Sequence, residues 1–384
     1  MEKGFTFQTT KSVLAEPGAS ARVGELMKSL GCRSVLIVTD AGIMKAGLLR
    51  SALDNLASNG IKTTLFTDVV ADPPVQVVSA AVVAAKAAGV DGVLSIGGGS
   101  SMDVAKLAAL LVASGERLDD IYGVGNAKGP RLPLVLAPTT AGTGSEVTPI
   151  SIVTTGEGEK KGVVSPVLLP DWAVLDADLT LGLPRASTAA TGIDAMVHAI
   201  EAYTSKRLKN VVSDCLAREA LALLAGNIRE ACSNGSNRQA RQAMLIGSML
   251  AGMAFANAPV AAVHALAYPV GARFHVAHGL SNSLVLPEVL RFNAPVAKPL
   301  YAELAGIIVP EARGNADDRT AALISYFATL APDLGLPVRL RDVGIKQEHV
   351  GQLAEDAMKQ TRLLVNNPRE VTLQDASEIY GAVL

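Results

Sequence analysis

In its first half, the chain alternates short apolar runs with longer segments of helical periodicity. The apolar runs fall at residues 34–40, 62–66, 92–96 and 134–137, and the helical segments at 19–30, 48–58, 76–88 and 101–114. A continuous apolar run of about five residues is typical of a strand that is buried on both faces. Because such strands alternate with helices, we predict βαβ units and a parallel sheet with helices on both faces.

The second half has a different pattern, which begins near Thr188. It is rich in Ala and Leu, has helical periodicity, and is interrupted by Gly, Asn and Pro. We place the boundary in the segment LGLPRAST, where Pro184 interrupts the chain and Ser187 or Thr188 can cap the next helix. The prediction is an α/β domain at residues 1–182 and an all-helical domain at residues 183–384.

Composition excludes several classes of protein. The 384 residues are 49% hydrophobic and 18% charged, with a net charge of −2. These values exclude a disordered chain and a strongly basic face for nucleic acid. The three cysteines, Cys32, Cys215 and Cys232, have no CxxC spacing, which argues against a disulfide framework and against a thiolate zinc site. The N-terminus lacks the apolar core of a secretory signal, so we expect a cytoplasmic protein.

One stretch of the second half, residues 246–272, is almost free of charge. It contains Asn257, Pro259 and His264 and many Ala and Gly residues, whereas a membrane-spanning helix prefers Leu, Ile, Val and Phe. We interpret it as a buried helix and expect no membrane partner.

A glycine-rich turn follows the apolar run 92–96. It reads Gly97-Gly98-Gly99-Ser100-Ser101-Met102-Asp103 and leads directly into a helical segment. Glycines before a helix N-terminus expose backbone N–H groups to an anion, and the helix dipole is positive there. The pattern is neither GxGxxG nor a Walker loop, because Lys106 comes too late. Pyrophosphate is the ligand that fits best, and a tight turn without a ligand is the alternative.

Two further segments favour a dinucleotide. Asp40 ends the run 34–40, where a carboxylate can accept hydrogen bonds from both hydroxyls of a ribose and would repel a 2′-phosphate. This favours NAD over NADP, although an aspartate at a strand end is often only a helix cap. The segment 137–148, APTTAGTGSEVT, carries many hydroxyls and can line a ligand groove; a plain polar loop is the alternative.

The histidines of the second half suggest a metal site. Asp194 and His198 are four residues apart, which places both side chains on one helix face, about 5–6 Å apart at Cβ. His264 and His278 would be about 21 Å apart on one straight helix, so a break is needed, and Pro269, Gly271 and Gly279 offer one. One carboxylate and three imidazoles suit Fe²⁺ or Zn²⁺ with an open position. The alternative is a set of ordinary core histidines.

Nine motifs in register resemble the iron-containing (group III) alcohol dehydrogenase family along nearly the whole chain. They are VTDAGI, DPP, GGGSSMDVAK, PTTAGTGSEVT, VLDADLTLGLP, TGIDAMVHAIEAYTS, VHALAYPVGA, HGLSNSLVLPEVLRFN and NPREVTLQDASEIY. The resemblance implies a Rossmann-like dinucleotide-binding domain followed by an all-helical domain, the fold shared with dehydroquinate synthase, with a cleft between them. It also implies a homodimer or a higher homo-oligomer that assembles through the N-terminal segment FTFQT.

The resemblance also assigns site residues. The metal ligands fall on Asp194, His198, His264 and His278. The cofactor contacts fall on Asp40, Gly97, Gly98, Gly99, Ser100, Ser101, Asp103, Thr139, Thr140, Thr143, Lys161 and Leu179. Two positions depart from the family pattern. Tyr268 stands where many members have a second histidine that relays protons, and tyrosine, with a reference pKa of about 10, is a poor base at neutral pH. Ser101 replaces the usual proline of the glycine turn.

We therefore expect an NAD-dependent alcohol dehydrogenase or aldehyde reductase that uses Fe²⁺ or Zn²⁺ as a Lewis acid. On the same fold, a hydroxyacid or oxoacid oxidoreductase or a transhydrogenase is the first alternative, and Arg273 could then meet a substrate carboxylate. A metal-dependent sugar-phosphate lyase or cyclase is the second, but it would need several Lys and Arg residues that these motifs lack. A metal-binding protein without catalysis would need no nucleotide site.

Overall fold

The protein is described by a computed structural model that covers residues 4–156 and 159–384. The chain divides into two compact units. The sheet unit comprises residues 8–183 and 236–246, and the helical unit comprises residues 4–7, 184–235 and 247–384. Within the described ranges, no single helix is long and apolar enough to cross a membrane; the bent pair at residues 238–257 and 262–274 meets the length and composition criteria only when both helices are taken together.

The sheet unit contains a six-stranded parallel sheet with the strand order β1-β9-β6-β4-β2-β3. The predicted parallel sheet is therefore confirmed. The strands of the unit are β1 (Ser12–Ala15), β2 (Ser34–Val38), β3 (Lys62–Phe66), β4 (Gly92–Gly97), β5 (Gly123–Val124), β6 (Leu134–Pro138), β7 (Ile150–Thr155), β8 (Glu159–Val164) and β9 (Trp172–Leu175).

Helices cover both faces of this sheet. They are α1 (Val23–Ser29), α2 (Ala41–Lys45), α3 (Arg50–Ser58), α4 (Val75–Ala88), α5 (Gly99–Ser114) and α6 (Leu118–Ile121). Alternate residues of β2 enter two different hydrophobic cores: Leu36 and Val38 pack in one, and Val35 and Ile37 in the other. Successive side chains of a strand point to opposite faces, so burial of both faces requires the uninterrupted apolar run that the sequence shows.

A second, three-stranded sheet has the order β5-β8-β7, with β7 and β8 antiparallel. We did not predict this sheet. Strand β8 contains Glu159, Lys160 and Lys161 and is largely half-buried or exposed, so it lacks the apolar run by which the strands of the main sheet are recognised.

The helical unit confirms the prediction of a helical second half. Its helices are α7 (Arg185–Thr204), α8 (Val211–Ser233), α9 (Arg238–Asn257), α10 (Ala262–Phe274), α11 (His278–Ile308), α12 (Ala316–Asp333), α13 (Val350–Met358), α14 (Thr361–Leu364) and α15 (Leu373–Ala382). The first part of α9, up to residue 246, groups with the sheet unit. Helix α7 packs against α8 and α11 and is buried along most of its length.

Two local predictions about helix boundaries are wrong. Helix α7 begins at Arg185 with Pro184 as its N-cap residue, so Ser187 and Thr188 lie inside the helix and do not cap it. The fixed φ of proline already suits a helix start, which explains the earlier beginning. Residues 246–272 form parts of two helices, because α9 ends at Asn257 and α10 begins after a bend of 106°.

The predicted break between His264 and His278 is also misplaced. Pro269 and Gly271 lie inside α10, which continues to Phe274. The break occurs at His275, whose φ of 55° lies in the left-handed region and ends α10. A left-handed residue after a helix is a common C-terminal signal, but it is usually glycine or asparagine.

Candidate metal centre and nucleotide site

Three helices bring the four predicted metal ligands together. Asp194 and His198 lie on α7, His264 lies on α10, and His278 is the first residue of α11. One candidate ligand atom from each residue lies within 4.8 Å of all the others. Asp194 Oδ1 is 3.5 Å from His278 Nε2 and 3.8 Å from His264 Nε2. One oxygen and three imidazole nitrogens at this spacing fit Fe²⁺ or Zn²⁺.

A close helix contact sets this geometry. Gly279 follows His278, and a Cβ atom there would lie 2.3 Å from the carbonyl oxygen of Ala190 and 3.2 Å from Cβ of Asp194. Only glycine allows α11 to start this close to α7. Together with the left-handed turn at His275, this contact brings the His278 imidazole back toward the ligands on α7 and α10.

Burial and the neighbouring side chains together determine the protonation states of the cluster. Asp194, His198 and His264 are almost fully buried, while the side chain of His278 is 31% exposed. Burial and the neighbouring imidazoles lower the pKa of His264 well below its usual value of 6.5. Burial alone would raise the pKa of Asp194, but the three histidines and an amide from Asn282 lower it. A charged carboxylate and a neutral imidazole are the forms that bind metal.

Glu201 supports the site and was missed in the sequence. It is almost fully buried, and its carboxylate accepts hydrogen bonds from the backbone N–H of Ala261 (2.9 Å) and Val263 (2.6 Å) and from Nδ1 of His264 (2.7 Å). Burial raises its pKa to about 7, against these hydrogen bonds. The contact holds the proton on Nδ1 of His264, so that Nε2 presents its lone pair to the cluster. Its position three residues after His198 was the available signal.

Two aromatic rings lie beside the cluster. Phe255 stacks on His198 with ring centroids 4.3 Å apart. Tyr268, the predicted proton relay, lies one turn after His264, with ring centroids 6.4 Å from His264 and 5.8 Å from His278. Arg273, considered as a contact for a substrate carboxylate, instead forms a 2.5 Å ion pair with Asp356.

In the sheet unit, the three glycines of the turn make room for different groups. A Cβ atom on Gly97 would lie 2.6 Å from Cβ of Ser101, and one on Gly99 would lie 2.8 Å from Cγ2 of Thr143. The chain itself therefore fills the space beside these two glycines. A Cβ on Gly98 would meet only Thr140, at 3.9 Å. Gly98 is the N-cap residue of α5, so the space beside it adjoins the helix N-terminus.

Other predicted cofactor residues lie around this turn. Asp40 caps α2, because its Oδ1 accepts hydrogen bonds from the backbone N–H of Gly42 and Ile43. Its Oδ2 lies 3.9 Å from the Cβ position of Gly97. The N–H of Thr139 donates to the carbonyl of Gly97 at 3.0 Å. The structure thus brings together Asp40, the glycine turn, Thr139, Thr140 and Thr143.

Three predicted cofactor residues have other surroundings. The carboxylate of Asp103 accepts hydrogen bonds from Ser145 Oγ (2.7 Å) and Ile152 N–H (2.9 Å). Lys161 lies on β8, near Glu159 and the Tyr122 ring. Leu179 is buried and lines a small surface hollow with Ser20, Gly47, Leu48, Arg50, Ser51, Asp54 and Asp178.

Lys106 lies beside Asp103, with its Nζ 3.7 Å from Oδ1 of the carboxylate. It is fully buried, and its Nζ donates to Ser145 Oγ (2.8 Å), Thr148 Oγ1 (3.2 Å) and the Ile150 carbonyl (2.7 Å). Burial lowers its pKa to about 8. Through these hydrogen bonds, the lysine connects the hydroxyl-rich segment to α5, a role that the sequence did not reveal.

Comparison with known proteins agrees with this geometry. The profile described as iron-containing alcohol dehydrogenase matches residues 10–177, and the profile described as Fe-containing alcohol dehydrogenase family, C-terminal, matches residues 188–384. The chain belongs to the iron-containing alcohol dehydrogenase family. It is therefore an oxidoreductase, and the resemblance read from the nine motifs is confirmed.

Similar members of the family span the same length. Long-chain-alcohol dehydrogenase 1 of Geobacillus thermodenitrificans is 39% identical over 373 residues, which cover 95% of this chain and 93% of the relative. The crystal structure of 1,3-propanediol oxidoreductase has a TM-score of 0.96 at 34% identity and covers both chains fully. Sulfoacetaldehyde reductase from Bifidobacterium kashiwanohense, solved in complex with NAD⁺, has a TM-score of 0.89 at 27% identity and covers 99% of each chain.

Proposed function

We propose that the enzyme transfers a hydride between a small alcohol or aldehyde and NAD, with a divalent cation held by Asp194, His198, His264 and His278. The observation that carries the proposal is the convergence of these four ligand atoms within 4.8 Å. Iron or zinc held by these four residues would supply Lewis acidity, which lowers the pKa of an alcohol oxygen or polarises a carbonyl. The division into residues 1–182 for the nucleotide and 183–384 for the metal belongs to the same proposal.

The protein's own side chains prepare this site. Glu201 holds His264 in the tautomer that offers Nε2, and burial keeps water from competing for Asp194. His278 is the most exposed of the four ligands, so a substrate oxygen approaches the cluster from the side of His278. Tyr268 can accept or donate a proton through its hydroxyl, because a Lewis acid removes the need for a strong base.

For the nucleotide, the open space beside Gly98 and Thr140 supports a pyrophosphate at the N-terminus of α5. Asp40 caps α2 through one oxygen, which leaves its second oxygen directed toward the glycine turn, where it can accept from a ribose hydroxyl. The sulfoacetaldehyde reductase complex with NAD⁺ supports the choice of NAD. Gly97, Gly99, Ser100, Ser101, Asp103, Thr139, Thr143, Lys161 and Leu179 complete the proposed cofactor set.

The test is NADH formation from NAD and a panel of short alcohols and 2-hydroxy acids, with Fe²⁺ or Zn²⁺ added to the purified protein. Asp194→Ala and His264→Ala should lose bound metal and turnover together. His349→Ala is the matched control, because His349 lies beside Phe274 and outside the cluster, and it should keep both. Turnover that persists in a metal-free variant would contradict the proposal.

The same assay separates the alternatives. Reaction only with hydroxy acids would favour the hydroxyacid oxidoreductase, and reduction of an oxo acid by a hydroxy acid without free NADH would favour a transhydrogenase. A sugar-phosphate cyclase or lyase would convert a phosphorylated sugar with no net NADH. A protein that binds metal without catalysis would give none of these reactions.

We also propose a cytoplasmic homo-oligomer, a dimer at least. The three cysteines are free thiols, and two of them are buried, as expected of a protein in a reducing compartment. Strand β1 is at one edge of the parallel sheet, and residues 5–9 precede it. An edge strand offers unpaired backbone groups to a second chain.

A further inference from the structure

Asn282 lies at the centre of the ligand cluster, although neither the motifs nor the metal assignment give it a role. It is on α11, one turn after His278, and is fully buried. Its Nδ2 atom is 2.5 Å from Asp194 Oδ1 and 3.3 Å from Nε2 of both His264 and His278. One amide nitrogen thus contacts three of the four atoms that would hold a cation.

The direction of the hydrogen bonds to Asp194 and His264 follows from the partners. A carboxylate can only accept, so Asn282 donates to Asp194. Glu201 binds Nδ1 of His264, which leaves a lone pair on Nε2, so Asn282 donates there as well. The oxygen of the same amide makes no such contact: Oδ1 of Asn282 is buried and has no hydrogen-bond partner among the described residues. The amide is therefore held only by the ligand atoms.

We propose that the Asn282 amide is an internal substitute for the cation: its two N–H groups donate to Asp194 and His264 when no metal is bound, and a cation displaces it from His264. The inference rests on the proposed metal centre. A buried carboxylate without a partner is costly, and a cluster of lone pairs without a donor repels itself. The amide N–H groups satisfy both, so the ligand set stays assembled before metal arrives.

This role has a consequence that an ordinary structural residue lacks. Leucine has nearly the shape of asparagine but no donor. In Asn282→Leu, the metal-free protein loses the amide donors at Asp194 Oδ1 and His264 Nε2, whereas in the loaded protein the cation still satisfies both atoms. The metal-free form should therefore be destabilised more than the loaded form. By linkage, the variant should bind metal more tightly than the unmodified enzyme.

The experiment compares metal-stripped and Zn²⁺-loaded protein by thermal unfolding, and measures the Zn²⁺ dissociation constant by competition with a chromophoric chelator. For Asn282→Leu we expect a larger Zn²⁺-induced rise in Tm than in the unmodified enzyme and a dissociation constant at least about tenfold lower, a linkage of the size that site coupling commonly reaches. Equal loss of Tm in both forms, or weaker Zn²⁺ binding, would overturn the proposal. Weaker binding would instead make Asn282 a ligand.

Asn293→Leu is the matched control. Asn293 is also a buried asparagine of α11, but its amide pairs with Asn367 at 3.0 Å. It should lower the Tm of both forms equally. If Asn282→Leu does not fold, Asn282→Ala replaces it, because alanine also lacks the amide donor. Its Zn²⁺-induced rise in Tm and its dissociation constant should change in the same directions, and an equal loss of Tm in both forms would overturn the proposal.

The design keeps this inference separate from the proposed function. If the unmodified enzyme binds no Zn²⁺, or binds it no more tightly than Asp194→Ala does, the assignment of the metal centre itself is wrong. If the unmodified enzyme binds Zn²⁺ at Asp194 and the Asn282 variants fail to respond as stated, only the role of Asn282 is wrong.

Discussion

At the scale of single residues, Gly98 is the glycine of the turn whose missing side chain is not explained by the chain's own packing. Gly97 and Gly99 make room for Ser101 and Thr143, while the space beside Gly98 meets only Thr140 at 3.9 Å. The φ and ψ of Gly98, −75° and −176°, are accessible to any residue. A ligand that approaches the backbone is therefore the remaining reason for glycine at this position.

We predict that Gly98→Ala folds with an unchanged Tm and weakens NAD binding about tenfold or more, since a methyl group would meet the bound phosphate. Gly97→Ala is the contrast, because its Cβ collides with Ser101 and should cost about 1–3 kcal/mol of stability. Thermal unfolding and a fluorescence titration with NAD measure both effects. NAD binding by Gly98→Ala at the level of the unmodified enzyme would contradict the nucleotide assignment.

A second prediction concerns Glu201, which accepts three hydrogen bonds from α10 and the segment before it. Glutamine has one acceptor oxygen, so Glu201→Gln leaves donors unsatisfied and no longer holds the His264 ring in its orientation. We expect metal affinity to fall about 10- to 100-fold, as is usual for residues that orient a histidine ligand. Chelator competition measures it, with Glu219→Gln, an exposed position of α8, as the control. Unchanged affinity would show that His264 needs no such support.

At the scale of elements, the metal centre depends on how closely the start of α11 approaches α7. Gly279→Ala would place a methyl group 2.3 Å from the Ala190 carbonyl and force the two helices apart. We predict a loss of about 1–3 kcal/mol in stability and weaker metal binding. Gly306→Ala, on the same helix and with open space around it, should instead gain about 0.5–1 kcal/mol. Calorimetry with and without Zn²⁺ separates the two effects.

A buried carboxylate connects three strands of the sheet unit at their start. Asp171, before β9, accepts from Arg131 Nη1 (2.6 Å), Lys11 Nζ (2.5 Å) and the N–H of Leu134 (3.0 Å). Burial alone would raise its pKa, but these partners lower it from 3.8 to about 2. The carboxylate therefore stabilises the fold above about pH 4, and this stabilisation disappears as the pH falls toward 2.

We predict that Asp171→Asn loses about 1–2 kcal/mol at neutral pH, because the partners remain partly buried without their charge. The difference from the unmodified enzyme should shrink between pH 4 and pH 2, as measured by urea unfolding at a series of pH values. Asp119→Asn, an exposed position of α6, should show no such change. A constant difference down to pH 2 would mean that folding does not lower the pKa of Asp171.

At the scale of the whole molecule, the edge strand β1 and the segment 5–9 before it support the proposed oligomer. We predict sedimentation at twice the chain mass of 39.6 kDa or at a higher multiple. Thr6→Pro removes a backbone donor from the N-terminal segment and should shift the protein toward monomer, since proline blocks strand pairing. A monomeric unmodified enzyme would exclude assembly through this segment.

Much of the architecture was determined by the sequence itself. The apolar runs of β2, β4 and β6 identified a sheet buried on both faces, because runs of about five apolar residues that alternate with helical segments are typical of such strands. The spacing of Asp194 and His198 placed both on one helix face, because the α-helix repeats every 3.6 residues. These are local properties, and the nine motifs carried the family assignment in the same way.

Other features were decided only by the tertiary structure. The left-handed turn at His275 and the contact of Gly279 with Ala190 bring His278 to the other ligands. No local rule marks His275, and the sequence showed Gly279 only as a possible break, without its partner. The roles of Glu201, Asn282 and Lys106 depend on partners far away in the chain. Sequence patterns report the face of an element that is buried, whereas a buried polar side chain acquires its role from the atoms that packing brings within hydrogen-bond distance.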